Sequence, residues 1–418
     1  MSRFYTALLF SIYALVLSAQ SDGLRHMHYN ITLYGNPFGC VDAQNDPALK
    51  DIWFNTVVDH VQPDIITVNE MRDQDFWADR LLEESLNTSG VEEWERAELM
   101  DGFSGQSILN ACYYRSDRFV LHDQEAIYFA EDLTLLLRPI DFYTFYPIGD
   151  AGTSDTTFFH LIVAHLAAGD EDEREDQTEA TMARIAELGP GNYIFTGDLN
   201  IDGAYEEAFE NLVEAPAPIA FIDPLDISDD WNNNPNVSLY HTQSTRTSGD
   251  TNGGCFVGGG MDDRFDITLI SSAIMDGLLG MSYVEDSYDV IGNDGGNFNQ
   301  SLPVVDNSDV PPVIASALYE MSDHLPVVTD YMFDAVNVLS ENDTRNWTFS
   351  VRDGELAVDM GISGEYHLTI LDLLGRVQLT EAWSGSYLQT PAFLPVKGVY
   401  FIRVESSQGW QDVQRFLN

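Results

Sequence analysis

Apolar and polar positions alternate in short blocks along the first three quarters of the chain, and the period of the alternation keeps changing. His26 to Leu33 reads as a strand. Asp46-Pro47 then opens a helix with proline at its first position; Leu49, Ile52, Trp53, Val57 and Val61 form its apolar face, and Pro63 ends it. Asp64 to Val68 is the next buried strand, and Asp75 to Leu86 a further helix. Ser107 to Tyr114, Arg118 to Leu121 and Thr157 to Ala164 read as strands. Asp170 to Leu188 reads as a helix whose acidic first turn suits the positive end of the helix dipole and which Gly189-Pro190 stops. Strands and helices in alternation predict a layered α/β domain.

Two stretches break the pattern. From Asn232 to Asp263 the chain turns to Asn, Ser, Thr and Gly, with Gly253-Gly254 and Gly258-Gly259-Gly260 and no Gly-Lys-Ser/Thr, so it is a loop and not a P-loop. Its place just before Asp266 points to a loop that lines a substrate; Gly292 to Asn299 is similar. After Asp334, Trp347 to Val351, Glu355 to Val358, Tyr366 to Leu371, Arg376 to Thr380, Val399 to Val404 and Val413 to Phe416 read as closely spaced short strands, the pattern of a small β-sandwich.

Several apolar runs end in polar tips. Ile65-Ile66-Thr67-Val68 leads to Glu70, Phe158 to Ala164 leads to His165, and Tyr193-Ile194-Phe195-Thr196 leads to Asp198; Ser322-Asp323-His324-Leu325-Pro326-Val327 sets an acid and an imidazole beside another apolar run. Buried strands deliver rigid tips to one rim, and carboxylate, amide and imidazole together suit a hard divalent cation beside a phosphate ester. Glu70 is the best candidate metal ligand, with Asn30 completing or orienting its shell. Asp198 and Asn200 are two apart, so both project to one face if the strand persists to Asn200. Gly197 permits close backbone approach there. His324 is the candidate general base, because an imidazole can take a proton near neutral pH.

Taken in order, Met27-His28-Tyr29-Asn30-Ile31, Val68-Asn69-Glu70, Ala164-His165-Leu166, Gly197-Asp198-Leu199-Asn200, Arg264-Phe265-Asp266-Ile267 and Ser322-Asp323-His324 resemble the endonuclease/exonuclease/phosphatase superfamily, the deoxyribonuclease I-like phosphoesterases. The resemblance runs from about Leu24 to about Phe333. It implies a four-layer α/β sandwich of two mainly antiparallel sheets flanked by helices, and Mg²⁺ (or Mn²⁺ or Ca²⁺) as cofactor. It further implies that Asp266 orients His324, that Asp323 sits near the metal or supports the loop, that His165 donates to a phosphate oxygen, and that Arg264 contacts substrate. The chain departs from the deoxyribonuclease pattern in two ways. Ser107-Ile108-Leu109-Asn110 stands where an acidic partner for His165 is expected, and Arg246 and Arg264 are the only obvious cations near the loops. Leu371 to Arg376, Lys397 to Phe401 and Arg415-Phe416 resemble the C-terminal sorting domain of the type IX secretion system, which implies a Bacteroidetes-type export route with that machinery as partner.

Composition sharpens the picture. With 68 Asp+Glu against 19 Lys+Arg the formal net charge is -49, and the lysines are Lys50 and Lys397 alone. Such a surface repels polyanions at long range. Arg3 before the apolar run Phe4 to Val16, then Ser18-Ala19, reads as a signal peptide cut after Ala19. The run is short for a span of about 20 residues, so no stable membrane span is expected. Cys40, Cys112 and Cys255 are too few for a disulfide framework, and none lies in a Cys-x-x-Cys pair. No Gly-x-Ser-x-Gly elbow, His-Glu-x-x-His helix, Walker loop or dinucleotide fingerprint is present. The expected organisation is a signal peptide at 1–19, a main domain at 24–335 and a sorting domain at 340–418. The expected function is secreted or cell-surface, divalent-metal-dependent hydrolysis of a phosphodiester, with an extracellular nuclease favoured. A phosphatase or a sphingomyelinase-like phosphodiesterase is the alternative on the same scaffold, and an inactive secreted Ca²⁺-binding protein the alternative of another class.

Overall fold

Two parallel strand pairs, each joined by a helix, form the centres of two sheets. In the first, β1 (Gly23–Tyr34) and β2 (Ile65–Arg72) flank α1 (Pro47–Val61), with Asn30 opposite Asn69. In the second, β7 (Phe159–His165) and β8 (Asn192–Asp198) flank α3 (Glu171–Leu188), with His165 opposite Asp198. The computed structural model describes residues 23–36, 38, 45–88, 90, 92–100, 107–150, 156–216, 219–228, 230–249, 255–333, 347–352, 355–372, 376–391, 399–406 and 411–417. The expected signal peptide, Cys40, Gly253-Gly254, Leu373-Leu374-Gly375 and Lys397-Gly398 lie outside them.

Antiparallel strands complete each sheet. The first runs β11 (Met281–Tyr283), β13 (Val327–Phe333), β1, β2, β4 (Ile108–Arg115), β3 (Trp94–Arg96), with β12 (Asp289–Val290) also on β13. The second runs β5 (Phe119–Phe129), β6 (Leu135–Pro147), β7, β8, β10 (Asp266–Ser271), β9 (Phe221–Ile222). Ile65, Tyr114, Phe145, Leu161, Val163, Ile194 and Tyr331 fill the space between the sheets. On the outer face of the first sheet, α1, α2 (Asp75–Leu81) and α6 (Pro312–Met321) bury Phe54, Val57, Leu81 and Leu318 against Tyr29 and Val68. On the outer face of the second, α3 and α4 (Glu207–Val213) bury Ile185 and Leu212 against Phe195 and Leu269. The short α5 (Ser272–Met275) follows β10. This is the expected four-layer sandwich of two mainly antiparallel sheets.

Local signals explain the helix starts. The Asp46 carboxylate accepts from Ala48 N at 2.9 Å with Pro47 in the first turn, and Asp170 accepts from Glu173 N at 3.2 Å. The face of α1 is a correction, because Leu49 and Ile52 are exposed while Lys50 and Asp51 are buried. Both polar residues have partners below the helix: Lys50 Nζ donates to two β1 carbonyls, and Asp51 accepts from Tyr34 and Arg80. The helix expected over Asp75 to Leu86 is α2 continued by a π-helical turn over Leu82–Leu86.

The C-terminal strands form one five-stranded sheet: β14 (Thr348–Arg352), β15 (Glu355–Asp372), β16 (Val377–Pro391), β17 (Val399–Ser406) and β18 (Gln411–Leu417). The strands expected over Glu355 to Val358 and Tyr366 to Leu371 are the two halves of β15, whose register with β16 shifts between Asp359 and Gly364. That irregularity lets one strand bend without breaking, where the sequence pattern suggested a turn. Leu356, Val358, Leu368, Ile370, Ile402 and Val404 make its core. Among the described residues no helix is long and apolar enough to cross a membrane. Cys112 is a free buried thiol, and Cys255 is disulfide-bonded.

Candidate active site

Topology alone brings six chain segments to one rim. The C-terminal ends of a parallel pair are where an α/β sheet presents its ligand-facing groups, and here two such pairs meet across the sandwich. β1 and β2 deliver Asn30 and Glu70; β7 and β8 deliver His165 and Asp198. β10 runs antiparallel to β8 with Asp266 paired to Asp198, so it begins at the same rim. β13 pairs antiparallel with β1, which puts His324, three residues before its start, there as well.

β8 packs close beneath this rim because of Gly197. A Cβ at that position would lie 1.8 Å from the Ala164 carbonyl oxygen, so only glycine fits one residue before Asp198.

Asp198 is the hub. Its Oδ2 accepts from Asn30 Nδ2 at 2.9 Å and lies 3.5 Å from His165 Nε2 and 3.7 Å from His324 Nε2. Its backbone N–H donates to Asn69 Oδ1 at 2.8 Å, and Asn69 in turn donates to Asn110 at 2.7 Å, a buried amide chain linking the two sheets behind the site. Glu70 takes Leu33 N–H at 2.9 Å on one oxygen and Asn30 Nδ2 at 3.2 Å on the other. Burial pushes the Asp198 carboxyl up to about 7, with Asp266 and Glu70 adding repulsion and His324 opposing. Glu70 is raised too, by burial and then by Asp323.

The imidazoles are held in opposite states. His324 Nδ1 meets Asp266 Oδ2 at 2.6 Å, and its Nε2 lies 2.7 Å from the Gln243 amide. Burial alone would lower its pKa, but the carboxylates of Asp266 and Asp198 outweigh that and hold it well above the usual histidine range. His165 is driven well below that range by burial and then by the Arg138 guanidinium, so it is neutral.

Asn30, Glu70, His165, Asp198, Asp266 and His324 therefore come together, while two expectations need correcting, for Arg264 and Asn200, and Asp323 and Asn30 each take one of the two roles expected of them. Arg264, expected on substrate, is fully buried; it pairs with Asp223 through two 2.8 Å bonds and faces the rings of Trp231 and Tyr288. Asn200 does not share a strand with Asp198, because β8 ends at Asp198 and Asn200 adopts φ 50°; its amide donates to Leu166 O at 3.2 Å instead. Asp323 supports the loop, since one oxygen accepts from Thr32 Oγ1 and the other from Val257 N at 2.6 Å. Asn30 turns its amide N–H groups to Glu70 and Asp198 and its oxygen to Thr32 N at 3.0 Å, the orienting one of its two expected roles.

Other participants were not read from sequence. Arg138 donates to the carbonyls of His165 and Leu166 at 3.2 and 2.8 Å and feels the charges of Glu70 and Asp198, so a cation does reach the rim. An arginine closing the apolar run Leu135-Leu136-Leu137 was the available signal. Gln243 and Asn69 carried none beyond their neighbours. Asn110, which occupies the place of the missing acid, spends its amide on Asn69, Pro139 and Val163.

No protein-family model matches the chain, and no curated protein does. Solved structures of similar fold include an endonuclease/exonuclease/phosphatase family protein from Bacteroides thetaiotaomicron, at 15% identity over 75% of this chain and 98% of that one with a TM-score of 0.48. The Bacteroides thetaiotaomicron mannosyl-6-phosphatase matches at 15% identity over 74% of this chain and all (100%) of that one, TM-score 0.47. D. rerio TDP2 complexed with a single-strand DNA product matches at 15% over 74% and 98%, TM-score 0.46. The chemistry of the site rests on its own side chains.

Proposed function

We propose that the chain is a divalent-metal-dependent phosphoester hydrolase acting on phosphodiesters, with nucleic acid as the favoured substrate. One observation carries this reading: Glu70, His165 and Asp198 offer ligand atoms within 4.8 Å of one another, directly beside the Asp266–His324 pair. A buried and a half-buried carboxylate with raised pKa values repel each other until something positive sits between them, and oxygen-rich sites of this kind suit Mg²⁺ or Mn²⁺. A divalent cation held by Glu70 and Asp198, with His165 at its edge, would supply charge neutralisation at phosphate oxygens.

The remaining roles follow from geometry. Asp266 occupies His324 Nδ1 and so aims Nε2 at the pocket, where it can hold or pass a proton. Neutral His165 can donate a hydrogen bond to a phosphate oxygen, and Arg138 adds positive charge from the same side. Export through Sec and then the type IX machinery belongs to the same reading, supported by the N-terminal apolar run and the C-terminal motifs.

The test is a substrate panel with purified protein: bis-p-nitrophenyl phosphate, p-nitrophenyl phosphate, DNA, RNA and sphingomyelin, each with Mg²⁺, Mn²⁺ and Ca²⁺. Turnover of the diester and of nucleic acid supports the proposal. Turnover of the monoester or lipid alone moves the chain to the phosphatase or sphingomyelinase-like alternative, and cation binding without turnover leaves the inactive Ca²⁺-binding protein.

A further inference from the structure

The end of β1 is a bulge, and it is built around a buried lysine. Between Asn30 and Tyr34 the register with β2 shifts, and Thr32 and Leu33 adopt φ values of 36° and 54°, which side-chain-bearing residues hold only when their surroundings impose it. The bulge turns two N–H groups toward the site: Thr32 N–H holds the Asn30 amide oxygen at 3.0 Å, and Leu33 N–H holds Glu70 at 2.9 Å. The Thr32 hydroxyl also meets Ser322 Oγ at 2.6 Å, and Ser322 Oγ accepts from His324 N at 3.0 Å. One irregular turn thus aims groups from three segments of the site.

Turning N–H groups inward sends carbonyls outward, into the space beneath α1. Lys50 Nζ waits there, donating to Ile31 O at 2.8 Å and Thr32 O at 2.5 Å, with the Phe256 ring centroid 5.0 Å away. Lys50 is fully buried and has no ion pair among the described residues; the charges that favour it are those of Asp323 and Glu70. A buried ammonium is costly unless its surroundings need it. A compact point charge suits two adjacent carbonyls in a way that a planar guanidinium does not. The chain has two lysines, and one of them is spent here.

We propose that Lys50 is a positioning residue for the cation site: by tethering the Ile31 and Thr32 carbonyls it sets the bulge that aims Glu70 and Asn30, and so determines how tightly the site holds a divalent cation. This rests on the metal reading of Glu70 and Asp198. Partners that orient metal ligands typically change affinity about 10- to 100-fold when lost.

The experiment measures Mn²⁺ binding to the full chain by titration calorimetry, and the spectrum of bound Mn²⁺ by electron paramagnetic resonance, in wild type, Glu70→Gln and Lys50→Met. Glu70→Gln identifies the binding that belongs to the site. Lys50→Met is expected to weaken that component about tenfold or more and to alter its spectrum, while circular dichroism shows the fold intact. If Lys50→Met does not fold, Lys50→Gln, whose shorter and uncharged amide does not reproduce the ammonium on the two carbonyls, is expected to weaken the same component in the same direction. Mn²⁺ binding that Glu70→Gln removes but Lys50→Met leaves unchanged in affinity and spectrum overturns the positioning role alone. No Glu70-dependent binding in the wild type overturns the metal reading and the role of Lys50 with it.

Discussion

The two parallel units reach the same rim by different means. In β7–α3–β8 the register runs unbroken to its last pair, His165 opposite Asp198, and the tips are simply the next residues of straight strands. In β1–α1–β2 the register breaks after Asn30, Glu70 itself has φ 65°, and both tips depend on hydrogen bonds from a left-handed turn. A straight strand places a side chain through its own pleat; a bulge places it through distant partners, here Lys50, Ser322 and Asp323. The difference separates what local pattern can encode from what tertiary structure must supply.

The comparison can be probed first at the residue both units face. His324→Ala should lower kcat about 10²- to 10⁴-fold, the usual worth of a positioned proton-transfer group, and should lower the melting temperature because Asp266 loses its buried partner, while circular dichroism at assay temperature shows the fold intact. Turnover near wild type in the folded variant would remove His324 from the chemistry.

Next comes the straight unit itself. Gly197→Ala forces a Cβ onto the Ala164 carbonyl, so β7 and β8 must part; a loss of about 3 kcal/mol or more in denaturant unfolding is expected, with activity lost alongside it. An unfolding midpoint equal to wild type would show that the close approach is not needed.

A third prediction concerns the acids contributed by both units. Glu70 and Asp198 have folded pKa values above their unfolded ones, Asp198 at about 7, so their protonated forms favour the folded state. That contribution is complete below the unfolded carboxylate range and is lost as pH rises through the folded values. A divalent cation takes the place of those protons, so its stabilisation grows in the same window. Thermal melts should show a larger rise on adding Mg²⁺ or Mn²⁺ at about pH 8 than at about pH 5, worth about 2.7 kcal/mol at a hundredfold excess over Kd. An equal or smaller rise at the higher pH would contradict it.

The smallest effect expected is that of salt. With a net charge of -49, KM for DNA should fall severalfold as NaCl is raised from about 50 to 200 mM, while hydrolysis of bis-p-nitrophenyl phosphate changes little. A KM for DNA that rises with salt would indicate a basic binding surface that the described residues do not show.

Much of the fold and half of the site were legible because they obey local rules. The runs ending at His165 and Asp198 have strand period and a glycine where backbones touch, and the acidic start of α3 reads as a helix N-terminus. Arg264 misleads because it lies before β10 begins, where strand period does not yet fix direction: Asp266 opens β10 at the rim, whereas Arg264 turns to Asp223 in the interior. Hydrophobic periodicity favours the apolar Leu49 and Ile52 over Lys50 and Asp51, since it has no means of marking a buried polar group whose partners lie on another strand. Arg138 leaves only a faint trace, at the end of an apolar run, because its partners are carbonyls 27 and 28 residues away.

The most direct measurement is bis-p-nitrophenyl phosphate hydrolysis by wild type and Glu70→Gln, stripped with EDTA and then titrated with Mn²⁺. Two strand pairs cooperating on one cation predict no turnover after stripping, full recovery in wild type, and recovery in Glu70→Gln only at far higher Mn²⁺ or not at all. Undiminished turnover in EDTA, or identical Mn²⁺ curves for the two proteins, would contradict the account.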